Sequence, residues 1–290
     1  MSATTTTTTA TSSRNQQDAS YIPRGPVTTE LNFFQAPADG SKPYYFVEKP
    51  SDGTPQQNFG VNNVTVSLTD IRGHESDFSL DRDAFQVLQN VESKMTYEDW
   101  EDDAKVKSIY YPEVEKTLLD NVPGAHKITL FDYTIRRSNP DAFRAPVNRV
   151  HVDQTPRSTE QRVRLHDPDE AEQLLKGRYR IINVWRPLNG PVQANPLACA
   201  AADTIDEKDL VPVQHRYPDR TGETAAVQYN KGQKWYYWSG MQNDERLFLK
   251  CFDNKEGVGS RVPHTAFVDP RTPKGAKGRE SIEVRALVYG

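Results

Sequence analysis

From Lys127 to the C-terminus, the chain is written in short runs of β-branched and aromatic residues, each closed off by Gly, Pro, Asn or Asp. Strands are expected at Lys127–Ile135, Tyr179–Trp185, Cys199–Thr204, Ala225–Tyr229, Lys234–Trp238, Leu247–Phe252, Val262–Val268 and Ser281–Tyr289. A single helix interrupts them, from Asp169 to Lys176, with Ala171, Leu174 and Leu175 facing inward. About eight strands in succession, with no internal repeat, predict a barrel or jelly roll supported by helices.

That support is expected from the N-terminal side. Residues 1–20 are Thr/Ser-rich and carry too little apolar surface to repay ordering, so they read as a disordered tail. Residues 21–290 then form one domain, with short β-rich runs at Tyr44–Val47 and Val64–Leu68. Helical support follows at about 81–122, and the jelly-roll core occupies about 127–290. In the helical part, Phe85, Leu88 and Val91 fall at helical spacing, and Thr96 with Asp99 resembles a capping box. A second helix after Pro112 buries Val114, Leu118 and Leu119 and ends at Pro123-Gly124.

Bulk properties narrow the partners. With 36 basic and 40 acidic residues the net charge is -4, and no Lys/Arg run marks a nucleic-acid surface. No segment approaches the ~18 apolar residues of a membrane span, and the Thr-rich start lacks a secretory hydrophobic region. Cys199 and Cys251 sit among apolar neighbours, as buried thiols do in a reducing cytoplasm. The expectation is a cytoplasmic protein that binds neither nucleic acid nor membrane; exposed edge strands would favour a homodimer.

The candidate chemistry lies in His151-Val-Asp153, His264 and Arg279-Glu-Ser281. Residues i and i+2 share one face of a strand, so His151 and Asp153 enter a barrel together. Two imidazoles and one carboxylate form the facial triad that holds non-heme Fe(II) and leaves positions open for O2. His-x-Asp alone is a weak signal, since chance placement gives about one such match in a chain of this composition. The order adds information: a distal histidine on a late strand, then Arg-x-Ser opening the last one. A guanidinium fork matches the far carboxylate of 2-oxoglutarate, and a serine hydroxyl donates a further bond. Arg285 shares the strand face of Arg279 and is the alternative anchor. His126 and His215 read as loop or surface residues, and His166 as part of a turn leading into a helix.

Six blocks carry a family resemblance: Asn183-Val-Trp-Arg-Pro-Leu-Asn-Gly190, Tyr236-Tyr-Trp-Ser-Gly-Met241, Asp244-Glu245, Leu249-Lys-Cys-Phe-Asp253, Pro263-His-Thr-Ala-Phe267 and Arg279-Glu-Ser-Ile-Glu-Val-Arg285. From about residue 25 onward, the chain resembles fungal hydroxylase/desaturases of the aspergillic-acid type, which are also gibberellin-desaturase-like. It is similar, too, to the small subunit of the cephamycin 7α-methoxylase system. The resemblance implies a mainly β fold with flanking helices, built on a double-stranded β-helix (jelly roll, cupin-like). It further implies Fe(II), 2-oxoglutarate and O2 as cofactor and cosubstrates, and oxidation of a small-molecule secondary metabolite. The gap from His151 to His264 is longer than is usual in that superfamily, so extra strands or loops must lie between them.

Substrate contacts are assigned to Tyr133, Trp185, Arg186 and Trp238, although Trp185 and Arg186 are adjacent on a strand and only one can face the cavity. The N-terminal helices and the loop from Phe143 to Asn148 are the candidate lid. Two rival functions remain at this stage. One is an iron oxidase that uses no keto acid, with Arg279 and Ser281 holding the substrate; the other is a non-catalytic accessory subunit. A cupin-like binder is a third, because fold alone does not fix function.

Overall fold

The computed structural model describes residues 20–138 and 144–290. The expected disordered tail, residues 1–20, lies outside the described residues except for Ser20. Fourteen strands form among the described residues: β1 (Val27–Gln35), β2 (Tyr44–Phe46), β3 (Gly60–Asp70), β4 (Phe85–Leu88), β5 (Lys127–Arg137), β6 (His151–Val152), β7 (Tyr179–Pro187), β8 (Leu197–Ala200), β9 (Leu210–Arg216), β10 (Thr221–Val227), β11 (Trp235–Tyr237), β12 (Arg246–Asp253), β13 (His264–Ala266) and β14 (Glu280–Tyr289). They make a nine-stranded sheet in the order β1-β3-β11-β8-β13-β6-β10-β9-β2 and a five-stranded sheet in the order β4-β12-β7-β14-β5. The principal apolar cluster joins residues of both sheets, including Leu31, Leu68, Trp235, Ile181, Leu249 and Leu287. This is the double-stranded β-helix, and the candidate site residues line its interior.

The smaller sheet is covered on both faces, so every residue of β7 and β12 is buried, the charged ones included. Alternation still sorts the side chains. On β7, Tyr179, Ile181 and Trp185 join the inner cluster, while Ile182 and Val184 pack outward against helices. On β14, Ile282, Val284, Ala286 and Val288 face the helical layer and Leu287 and Tyr289 face inward. Ser281, Glu283 and Arg285 therefore share the inner face.

The outer layer is anchored by α1 (Tyr111–Asn121), which follows a helical turn at Asp103–Lys105 and a π-type turn at Val106–Tyr110 without a break. Pro112 opens α1, and Val114 and Leu118 are buried on it. Leu119, expected on the buried face, is 40 % exposed. A second correction concerns Phe85 and Leu88: they belong to β4, which pairs with β12 through Phe85↔Leu249 and Val87↔Leu247. Phe85 and Val87 are buried at alternate positions, so partner strands override a spacing that also fits a helix.

One helix escaped sequence reading. It is α2 (Pro156–His166), whose N-terminus is a capping box between Thr155 and Ser158 with Pro156 at the first turn. Val163 is its only buried aliphatic residue, so it has no apolar stripe to betray it. His166 ends this helix, stacked on Phe131 at 5.0 Å, rather than lying in a turn before one. The helix expected at Asp169–Lys176 shrinks to the single turn Ala171–Leu174. Strands β1 and β9 also went unread. Among the described residues no helix is long and apolar enough to cross a membrane.

Candidate metal centre

β6 is only two residues long, yet it sits in the middle of the larger sheet, between β10 and β13. Its register pairs His151 with His264 of β13. Two histidines far apart in the chain thus become cross-strand neighbours, with ring centroids 4.4 Å apart. Asp153 follows β6 on the same side as His151. One ligand atom from each of His151, Asp153 and His264 lies within 4.8 Å of the others.

The rings are aimed by their own backbone. Nδ1 of His151 lies 2.7 Å from the Arg149 carbonyl, and Nδ1 of His264 lies 3.1 Å from that of Val262. An Nδ1–H donated to each carbonyl leaves both Nε2 atoms as lone-pair donors. They face the same carboxylate oxygen: Oδ1 of Asp153 is 3.3 Å from His151 Nε2 and 4.0 Å from His264 Nε2. Metal–ligand bonds of ~2.0–2.2 Å place neighbouring ligands on one octahedral face about 3 Å apart. The donor set and its spacing fit a ferrous ion.

The other oxygen of Asp153 is occupied. Asn183 Nδ2 donates to Oδ2 at 2.8 Å, and Arg285 Nε donates to the same atom at 3.3 Å. Burial works to raise the Asp153 carboxyl, but the His151 contact and the Arg285 charge outweigh it and hold it well below the usual range. Burial also pushes the His264 imidazole down to about 4, and His151 adds to the effect. The centre is therefore one carboxylate facing a neutral imidazole at His264.

A small cavity opens beside these residues, lined by Trp185, Arg279, Arg136 and Glu283 as well as the three candidate ligands. Arg279 is 2 % exposed, its guanidinium stands over the Trp185 ring at 5.3 Å, and Nη1 donates to the Asn195 carbonyl. Its Nε has no partner among the described residues, and no carboxylate there pairs with it. Burial, with Arg136 nearby, pulls this guanidinium down to about 9. A buried cation with unused donors fits an anion brought by a ligand. Ser281, 1 % exposed, is the next residue on the same inner face.

The structure brings His151, Asp153, His264, Arg279 and Trp185 round one cavity, sets Ser281 next to Arg279 on the same strand face without lining it, and leaves out three residues expected to contact substrate. Tyr133 pairs with Val284 in register and faces the helical side, where its hydroxyl donates to Asp103. Arg186 points the same way, stacked on Trp100 and Tyr110, because it alternates with Trp185 on β7. Trp238 lies under Arg72 and donates to Glu75, away from the cavity wall. Arg285 does not serve as a free anchor, since it is committed to Asp132, Asp153 and Glu283. His215, expected at the surface, is part-buried in β9 and bonds Thr224. Of the candidate lid loop, Phe143 lies outside the described residues and Val147 lines the cavity. Asn183 and Arg136 were missed in the sequence; Asn183 is a polar residue on the otherwise apolar inner face of β7, whereas Arg136 shares its face of β5 with Asp132 and Thr134 and carries no such signal.

Comparison with known proteins gives a consistent picture. An oxidoreductase/YMDC permease-like domain model matches residues 31–289. The chain is 36 % identical to the hydroxylase/desaturase poxK of Penicillium oxalicum, over 92 % of each chain. It is 33 % identical to the Fe(II)/2-oxoglutarate-dependent dioxygenase nvfI of Aspergillus novofumigatus, over 90 % of this chain and 96 % of the relative. A solved structure of the iron and alpha-ketoglutarate-dependent endoperoxidase NvfI superposes with a TM-score of 0.84 at 33 % identity, covering 92 % of this chain and 99 % of that one.

Proposed function

This chain belongs to the family of fungal iron- and 2-oxoglutarate-dependent hydroxylase/desaturases, and on that premise we propose that His151, Asp153 and His264 hold its iron while Arg279 and Ser281 seat the keto acid. The protein is an Fe(II)/2-oxoglutarate-dependent dioxygenase that oxidises a small-molecule secondary metabolite. The observation that carries the residue assignment is the convergence of two Nε2 atoms on one Asp153 oxygen whose partner oxygen is already bonded.

Iron bound at this centre supplies oxygen activation coupled to decarboxylation of the keto acid. The chain's own groups do the positioning. The backbone carbonyls of Arg149 and Val262 fix both imidazole orientations. Asn183 and Arg285 prevent Asp153 from rotating its free oxygen away. Arg279 and Ser281 bind the distal carboxylate, which sets the keto-acid end toward the three ligands. Trp185 walls the cavity and excludes water from beside the Arg279 carboxylate seat. The buried thiols Cys199 and Cys251 suit work in the cytoplasm.

The test is an oxygen-free titration of the purified protein with Fe(II), followed by measurement of oxygen uptake with and without 2-oxoglutarate and of the succinate formed when it is present. One iron per chain and a strict keto-acid requirement are expected, both lost in His264→Ala. Undiminished succinate formation by that variant refutes the ligand assignment.

A further inference from the structure

We propose that Arg136 is a second anchor for the distal carboxylate of 2-oxoglutarate, acting beside Arg279 and Ser281; the proposal rests on the seat assigned above. Arg136 is on β5, outside every sequence motif of the site, yet it lines the same cavity as the three candidate ligands. Register explains why. Ser281 of β14 is directly opposite Arg136 of β5. Arg279 lies two residues before Ser281 and points to the same side. Opposed side chains in a sheet have Cβ atoms ~4.5–5.5 Å apart, and diagonal ones ~7–8 Å. The two guanidiniums and the hydroxyl therefore form one continuous patch.

Charge on the cavity wall supports an anion there. Arg136 donates Nη1 to the Ala145 carbonyl at 3.1 Å, and Arg279 donates Nη1 to that of Asn195. Among the described residues neither has a carboxylate within ion-pair distance. The two carboxylates lining this cavity, Asp153 and Glu283, are both paired with Arg285. Two cations are thus held close together in a partly dry cavity, where Glu283 offsets their repulsion only in part and an incoming anion between them would relieve it further. A carboxylate offers about four lone-pair sites, enough to accept from both forks and a hydroxyl.

Position along β14 assigns the patch to the far end of the cosubstrate. Arg285 is level with Asp153, and Ser281 lies four residues further toward the strand's start, a rise of about 13 Å that the long side chains of Arg279 and Arg136 reach back across. The chelating end of a five-carbon keto diacid belongs at the metal, so its other carboxylate reaches this patch. A ligand with no distal carboxylate has nothing to offer Arg136.

The experiment measures equilibrium binding of 2-oxoglutarate and of 2-oxopentanoate to Zn(II)-loaded protein without oxygen. The two acids share the chelating end and differ in the distal carboxylate. In Arg136→Gln, 2-oxoglutarate binding should weaken about tenfold or more, with 2-oxopentanoate binding unchanged, and Arg136→Lys should recover part of the loss. Equal weakening of both acids, or of neither, overturns the proposal; the second outcome would leave Arg136 to the substrate. Arg279→Gln separates the two levels. If it collapses the preference and Arg136→Gln does not, only the role of Arg136 falls, whereas an unchanged preference in Arg279→Gln removes the seat itself.

Discussion

Replacing Asn183 by leucine removes one donor and one acceptor from the interior while keeping the number and branching of the side-chain heavy atoms. The residue is fully buried on β7, and its Nδ2 donates to the Asp153 oxygen turned away from the imidazoles, at 2.8 Å. Its own Oδ1 has no partner among the described residues. A hydrogen bond to a charged group contributes about 1.5–3 kcal/mol, and a buried unpaired carbonyl costs about 1–3 kcal/mol. The two nearly cancel in Asn183→Leu, so stability should change by less than about 1.5 kcal/mol. Metal affinity has no such compensation. With Nδ2 gone, the carboxylate is held only by Arg285 at 3.3 Å and must be reoriented when a cation binds. Loss of an outer partner of this kind typically lowers affinity about 10–100-fold. At about 1.4 kcal/mol per decade this spans roughly the same range as the bond removed. Co(II) titration followed by its visible absorption reads the effect directly, and urea unfolding reads the stability. Affinity within twofold of the parent protein, with Asp153 still required, would show that the Asn183 contact does not position the ligand.

Other predictions are simpler. Phe248→Ala, at a fully buried site in the outer cluster, should cost about 3–5 kcal/mol by denaturant unfolding; a loss under 1 kcal/mol contradicts the packing described. Arg186→Met should leave 2-oxoglutarate turnover within about threefold of normal, because the side chain faces Trp100 and Tyr110 on the far side of the sheet; a hundredfold loss in a folded variant places it in the cavity after all. The hydrogen bond from Lys105 holds the Asp99 carboxyl at about 2. A folded value below the unfolded one stabilises above the unfolded value of ~3.9, and that contribution disappears as pH falls toward 2. Asp99→Asn should therefore be less stable than the parent at pH 6 and no different below pH 2 in parallel unfolding curves.

The parts of the fold legible in the sequence were those in which one element settles its own conformation. β7, β12 and β14 announce themselves by composition, and His-x-Asp reports a shared face wherever it lies on an extended strand. What depended on distant partners stayed hidden. Phe85–Leu88 fits helix and strand spacing equally, and only pairing with β12 decides between them. α2 is held by its cap and by Val163 rather than by an apolar stripe. Trp185 was correctly one of an alternating pair with Arg186, but which of the two faces inward is a property of the whole sheet. Asn183 and Arg136 had no spacing to mark them, because their roles come from register across strands.

The pairing of His151 with His264 joins two points that are distant along the polypeptide. No local segment can therefore assemble these ligands; the barrel must first close upon itself. A cation seated between β6 and β13 would act as a rivet across that closure. It would favour the folded chain by RT ln(1 + [M]/Kd), roughly 2.7 kcal/mol at a hundredfold excess over Kd. Starving such a chain of iron would then remove a mechanical fastener along with the catalyst, and the bare protein should open first along this seam.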